Sequence, residues 1–192
     1  MRGALAVVCL LSCSVGLAAG PEAQLERLHA ALLSVAREGD PTSARDEALL
    51  QPVVAEVFDF YAIARVVVGA RWESFTKEEK ESLKVRLQQL WVTRLLRRYR
   101  GVPGLRFIDL RAGKGSAGME IEATEERTNA APTRRLYRFR RNRIFDVVTE
   151  GRGELAVRRT EYGRLLREGG LEALLKGIDA EINGPALLHP GT

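Results

Sequence analysis

Residues 58–99 open Phe58-Asp59-Phe60-Tyr61-Ala62-Ile63-Ala64-Arg65-Val66-Val67-Val68-Gly69-Ala70-Arg71-Trp72 and continue through Thr76-Lys77-Glu78-Glu79 to Tyr99. Thr76 followed three residues later by Glu79 is a capping box, in which each side chain answers the other's backbone N–H. It predicts a helix from there to about Tyr99, with Leu83, Leu87, Leu90, Trp91, Val92, Leu95 and Tyr99 along its inner stripe. Gly69 is the stop signal for a shorter helix over about Tyr61–Val68. Gly101 through Gly104, with Pro103 inside, ends the long helix.

Upstream, Leu25, Leu28, Leu32, Val35 and Ala36 follow helical spacing from Glu22 to Glu38. Gly39-Asp40-Pro41 breaks that helix, and Asp40 with Pro41 can start a second one carrying Leu49, Leu50, Val53, Val54 and Val57. Downstream the period changes from 3.6 to 2. Leu105–Arg111, Ala117–Glu125, Thr133–Arg141 and Arg143–Thr149 read as strands joined by short Gly- or Asn-bearing links, an antiparallel meander. Helical spacing returns through Leu155, Tyr162, Leu165 and Leu166. After Gly169-Gly170 it resumes with Leu171, Leu174, Leu175 and Ile178, and a frayed tail is expected from Asn183. The expected fold is α+β, with helices flanking one face of a twisted antiparallel sheet of about four strands.

The chain of 192 residues is long enough for one domain with a substantial core. Arg2, the apolar Ala4–Leu11 and the small residues around Ala18, Ala19 and Gly20 have the layout of a signal peptide. Residues 1–19 are assigned to it and 20–192 to a single domain. Cleavage after Ala18 fits best, while Leu10-Leu11-Ser12-Cys13 is a loose lipobox that would lipidate Cys13 instead. Cys9 and Cys13 both fall in this segment, which excludes disulfides, thiolate metal sites and a cysteine nucleophile from the mature domain. The charge is +5, from 30 Lys+Arg against 25 Asp+Glu. Arginines crowd at 94–100 and at 134–143, as a solvated basic face or one drawn to anionic headgroups. Export argues against nucleic acid as the partner.

Chemical motifs are scarce. His29, on a helix rim, and His189, in the tail, have no acidic cluster at ligand spacing, so neither a metal site nor a Ser/His/Asp arrangement is expected. Gly113-Lys114-Gly115-Ser116-Ala117-Gly118 matches G-x-G-x-x-G, but the alternating Met119–Ala123 after it is a strand pattern, so a hairpin turn is the better reading. Asp109 and Asp146 could form a carboxylate pair, or simply sit at the surface or at strand ends. No catalytic residue and no cofactor is assigned.

Phe58-Asp59-Phe60, Gly69-Ala70-Arg71-Trp72 and Thr76-Lys77-Glu78-Glu79, in this order and spacing, resemble the MlaC family of periplasmic phospholipid-binding proteins, the toluene-tolerance type. Phe145-Asp146-Val147-Val148-Thr149-Glu150-Gly151 followed by Arg159, Tyr162, Gly170-Leu171 and Leu174 agrees, so the likeness covers residues 22–182. The chain departs from the family pattern at Asn142 in place of a Trp, at Gly153 in place of a serine, at Val157-Arg158-Arg159, and at Leu95 where an aromatic is usual.

The resemblance implies a lipid carrier rather than an enzyme, in the periplasm. It would exchange phospholipid with an inner-membrane ABC transporter bearing an MCE subunit and with an outer-membrane lipoprotein–porin complex. The alternative is a hopanoid- or envelope-associated binding protein of the same fold that does not shuttle phospholipid. A cavity for acyl chains is expected to be lined by Phe60, Ile63, Val67, Trp72, Trp91, Phe107, Met119, Tyr137, Phe139 and Phe145. Arg138, Arg140 and Arg159 are expected to meet headgroups or partners.

Overall fold

The computed structural model describes residues 20–38, 44–115 and 118–184. The signal segment, the Asp40–Pro41 helix start, the Ser116-Ala117 hairpin tip, and the tail with His189 lie outside the described residues.

Three helices come first: α1 (Pro21–Glu38), α2 (Ala44–Val57) and α3 (Phe60–Val68). A 3₁₀ turn over Gly69–Ser74 leads into α4 (Lys77–Tyr99). The strands β1 (Arg106–Gly115), β2 (Gly118–Glu126), β3 (Thr133–Arg140), β4 (Arg143–Thr149) and the two-residue β5 (Arg152–Gly153) follow, and α5 (Glu154–Asn183) closes the described chain. The fold is α+β, with the five strands in sequential antiparallel order. The expected four strands thus gain a short fifth. No helix among the described residues is long and apolar enough to cross a membrane.

The Phe58–Phe60 stretch joins helices to sheet. Asp59 N donates to Ile144 O at 2.8 Å, and Phe58 bridges Ile144 in parallel. The Asp59 carboxylate then accepts from Ala62 N at 2.9 Å and caps α3, while the two phenylalanines around it are buried. Gly69 takes the left-handed φ of 60° that ends α3. At Thr76 both halves of the capping box form, as expected.

The sheet turns one face to the helices. Ile121, Ala123 and Glu125 of β2, Arg135, Tyr137 and Phe139 of β3, and Ile144 of β4 are buried there. On the opposite face Arg138 lies between Glu120 at 3.0 Å and Asp146 at 3.2 Å. The β3–β4 hairpin turns on Arg141 and Asn142, both with positive φ (50° and 61°), as a two-residue type I′ turn requires. Arg143 beyond it donates to the carbonyls of Glu56 (2.8 Å) and Ala55, satisfying the end of α2. Asp146 reaches from β4 to Leu155 N (3.2 Å) and so caps α5, which kinks at Gly169-Gly170 where the sequence pattern broke.

Three readings are corrected here. His29 is not on a rim but buried at 5% exposure, because it stands four residues from Leu25 and three from Leu32, on the same face of α1. The arginines at 94–100 are not all a solvated face. Arg94 donates to Glu154 (2.8 Å) and Glu181 (2.8 Å) of α5, and Arg97 donates to the last carbonyls of that helix. Asp109 and Asp146 are not a pair either: β1 and β4 stand three strand spacings apart, about 14 Å. Gly113–Gly118 forms strand ends paired Gly115 to Gly118, so the glycine motif is a hairpin as expected.

Candidate functional site

After Tyr99 the chain crosses from α4 to β1 over residues 101–105. Gly101 and Gly104 adopt φ of 66° and 65°, and the loop is pinned on three sides. Gly101 N donates to Val35 O (3.4 Å), Val102 N to Tyr99 O (3.2 Å) and Thr128 N to Pro103 O (3.0 Å). Held this way, the loop stands off from α1 and leaves a cleft of about 730 Å³, within the usual range for ligand sites of ~300–1,000 Å³. Leu33, Ala36, Val102, Leu105, Phe107 and Ile108 supply its apolar surface, with exposed Arg37 and Arg106 also on its walls.

The inner wall is aromatic outside and polar behind. Phe107 stacks on His29 with ring centroids 3.8 Å apart and planes 5° from parallel. His29 Nε2 shares a hydrogen bond with Tyr137 OH at 3.1 Å. Burial pushes the His29 pKa down to about 4, only partly opposed by Glu125, so the imidazole is neutral at pH 7. Next to it, Tyr99 OH donates to Glu125 Oε2 (2.8 Å), Arg127 Nε donates to Oε1 (2.7 Å), and Arg135 Nε donates to Oε2. Burial alone would raise the Glu125 carboxyl, but the Arg135 charge and the bonds from Arg135 and Tyr99 hold it below the usual value. Burial drives the Tyr99 hydroxyl up to about 12 and also raises that of Tyr137.

The ten residues expected to line a cavity spread along the seam between helices and sheet. Phe107 borders the cleft. Ile63, Trp91 and Phe145 meet around a narrow interior crevice with Phe58, Val147 and Leu155. Phe60 packs edge-on to Trp91 at 5.9 Å. Val67 and Trp72 are buried at the α3 end, with Trp72 edge-on to Tyr61 (4.8 Å) and beneath Lys80 (5.4 Å). Tyr137 and Phe139 lie on the inner sheet face, and half-buried Met119 pairs across from Phe139. Of the other lining residues, Ala36 was read only as part of the first helix's apolar stripe and Leu105 only as the start of a strand, while Leu33 and Val102 were not singled out from sequence. The local signal at Val102 and Leu105 was an apolar residue on each side of Pro103-Gly104. Arg138 is engaged on the outer sheet face, whereas Arg140 at the end of β3 and Arg159 on α5 are exposed.

Among the described residues no group of three or more His, Cys, Asp or Glu could hold a metal ion. The fold and cleft define an α+β protein with an open antiparallel sheet and an apolar, ligand-sized opening at its seam with the helices. The chain belongs to the MlaC protein family, whose model matches residues 26–180. A structural search finds the phospholipid-binding protein from Ralstonia solanacearum, solved in complex with a phospholipid, with a TM-score of 0.66 and 16% identity. That match covers 85% of this chain and 97% of the other. No match was found among curated proteins.

Proposed function

We propose that this protein binds phospholipid non-covalently, laying acyl chain against Leu33, Ala36, Val102, Leu105 and Phe107 and along the helix–sheet seam. The observation that carries this reading is the apolar cleft of about 730 Å³ at that seam, in a chain of the MlaC family. The relative from Ralstonia solanacearum, which shares the fold and was solved with a phospholipid, supports the same ligand class. The interior residues Phe60, Ile63, Trp91, Phe139 and Phe145 form the apolar path into which a chain would extend by repacking.

Burial is worth about 0.8 kcal/mol per methylene, so two chains with roughly 14 buried methylenes each gain ~20 kcal/mol gross. Ordering costs reduce this figure, but unassisted release stays slow. The protein therefore acts as a periplasmic carrier rather than an enzyme. It takes lipid from one membrane complex and gives it to another, with an ABC transporter carrying an MCE subunit on the inner membrane and a lipoprotein–porin complex on the outer. Arg140 and Arg159, both exposed, would meet such partners.

Native mass spectrometry of protein purified from a Gram-negative periplasm tests the binding. Co-purifying phospholipid is the expected result, and a uniformly ligand-free mass overturns it. Transfer of labelled lipid from donor to acceptor vesicles tests the carrier role.

A further inference from the structure

Phe107 faces two ways. It borders the cleft beside Leu33, Leu105 and Ile108, and its ring lies flat on the His29 imidazole. His29 is buried, so this one half-buried ring stands between the imidazole and the opening. The backbone that carries it is lightly held. β1 is the edge of the sheet and pairs with β2 alone. Its register slips between Ile108 and Arg111, a bulge in which Asp109 takes a φ of 54°. Phe107 is thus the second residue of an edge strand, one residue short of a break in its ladder, and local opening favours such places.

The polar groups that face His29 are already committed. Glu125 on β2 accepts from Tyr99, Arg127 and Arg135. Arg135 on β3 is itself a cation, and Tyr137 on the same strand meets Nε2 at 3.1 Å with a hydroxyl that burial keeps protonated. Tyr99 on α4 spends its hydroxyl on Glu125. Asp46 on α2 is held by Arg100 at 2.8 Å, and Arg106, next to Phe107 on β1, pairs with Glu126 at 2.6 Å. Burial first, and Arg135 after it, keep the imidazole neutral until about pH 4, with Glu125 only partly opposing them. An imidazolium formed in these surroundings has water as its remaining partner, and water lies past Phe107, in the cleft.

We propose that His29 and Phe107 form an acid-sensitive gate on the lipid cleft, in which a proton on His29 displaces the Phe107 ring and releases the acyl chain. The gate rests on the phospholipid reading, because the chain packs against the outer side of that same ring. Bound chain keeps water from the wall and holds His29 neutral. By the reciprocity of linked equilibria, a proton on His29 weakens the hold on the chain. The protein therefore keeps its lipid near neutral pH and unloads faster in acid. With the wall open the imidazole regains its ordinary pKa of 6.5, so the open state gains up to about tenfold in population between pH 7.5 and pH 5.5.

The experiment follows phosphatidylglycerol with a fluorophore on one acyl chain as it leaves the loaded protein for excess phosphatidylcholine vesicles. Rates are compared at pH 7.5 and 5.5, with circular dichroism reporting the fold. Wild-type release should be about five- to tenfold faster at pH 5.5 with the fold retained. His29→Gln, which cannot take the proton, should release at the same rate at both pH values. Should that variant not fold, Phe107→Ala uncovers the imidazole at every pH and should shrink the wild-type ratio toward one; an unchanged ratio there counts against the gate. A pH-independent rate in wild type, or an acid response that His29→Gln retains, overturns the gate and leaves lipid binding standing. Release that occurs only as the circular dichroism signal is lost overturns it as well. Protein that takes up no lipid at pH 7.5 overturns the phospholipid reading and the gate together.

Discussion

The Phe107 ring lies flat on the His29 imidazole, 3.8 Å between centroids, so the residue that walls the cleft is braced from behind by a titratable ring. A neutral imidazole stacks on a phenyl face and hydrogen-bonds Tyr137 at the same time. Protonating it would place a cation in a buried site that already holds Arg135 nearby. The cleft wall is thereby coupled to pH.

The sign of that coupling follows from the shift. The folded pKa of about 4 lies below the ordinary histidine value of 6.5, so the unfolded chain binds the proton more readily. The stability His29 protects is full above pH 6.5 and is lost as pH falls from 6.5 to about 4, by roughly 3 kcal/mol at most. Glu125, also lowered, acts in the same direction at still lower pH. Urea unfolding between pH 7.5 and 4.5 should show this slope, and His29→Gln should flatten the limb above pH 4.5. Parallel slopes in the two proteins would exclude His29 as the group responsible.

Leu33→Trp is the most direct test of the cleft. Leu33 borders it from α1 and is only half-buried, so a larger ring can occupy the opening instead of the core. Stability should change by less than about 1.5 kcal/mol, as for a tolerated apolar exchange. Co-purified lipid should fall several-fold. Lipid content equal to wild type would move the binding site elsewhere.

The cleft was nearly invisible in the sequence, and the reason is physical. Its surface comes from Leu33 and Ala36, from Val102 and Leu105, and from Phe107, pieces brought together only by the backbone bonds of the 101–105 loop. The framework was far more legible. Thr76 with Glu79 and Gly69 are local signals acting within a few residues, and each ended up where its spacing put it. Arg94 shows the opposite case. Its partners Glu154 and Glu181 are 60 and 87 residues away, so periodicity could describe Arg94 only as one of a crowd.

Gly104→Ala should loosen the cleft by unseating its loop. Gly104 has φ of +65°, and a Cβ there would overlap the Thr128 hydroxyl and stand 3.2 Å from the Thr128 backbone nitrogen. A loss of about 1–3 kcal/mol is expected from the left-handed backbone and the contact together. Thr128→Ala should recover part of it, because it removes the hydroxyl but not the backbone strain. If Gly104→Ala unfolds at the wild-type denaturant concentration, the loop does not depend on this close approach.

Asp146 holds two parts of the fold at once, and its two oxygens can be separated by substitution. Oδ1 accepts from Leu155 N at the start of α5, where Gly153 provides no side-chain cap. Oδ2 pairs with Arg138 on the outer sheet face. Asp146→Asn keeps an acceptor for Leu155 but loses the charge, so it should cost about 1 kcal/mol or less, in the range of partly exposed pairs. Asp146→Ala removes the cap as well and should cost about 2 kcal/mol in total, since the first turn of α5 loses its acceptor. In an Arg138→Gln background the cost of Asp146→Asn should fall toward zero while that of Asp146→Ala keeps its capping share. A double-mutant cycle by denaturant titration reads this directly. Equal costs for the two substitutions, in either background, would mean that the carboxylate serves the ion pair alone and that α5 starts without it.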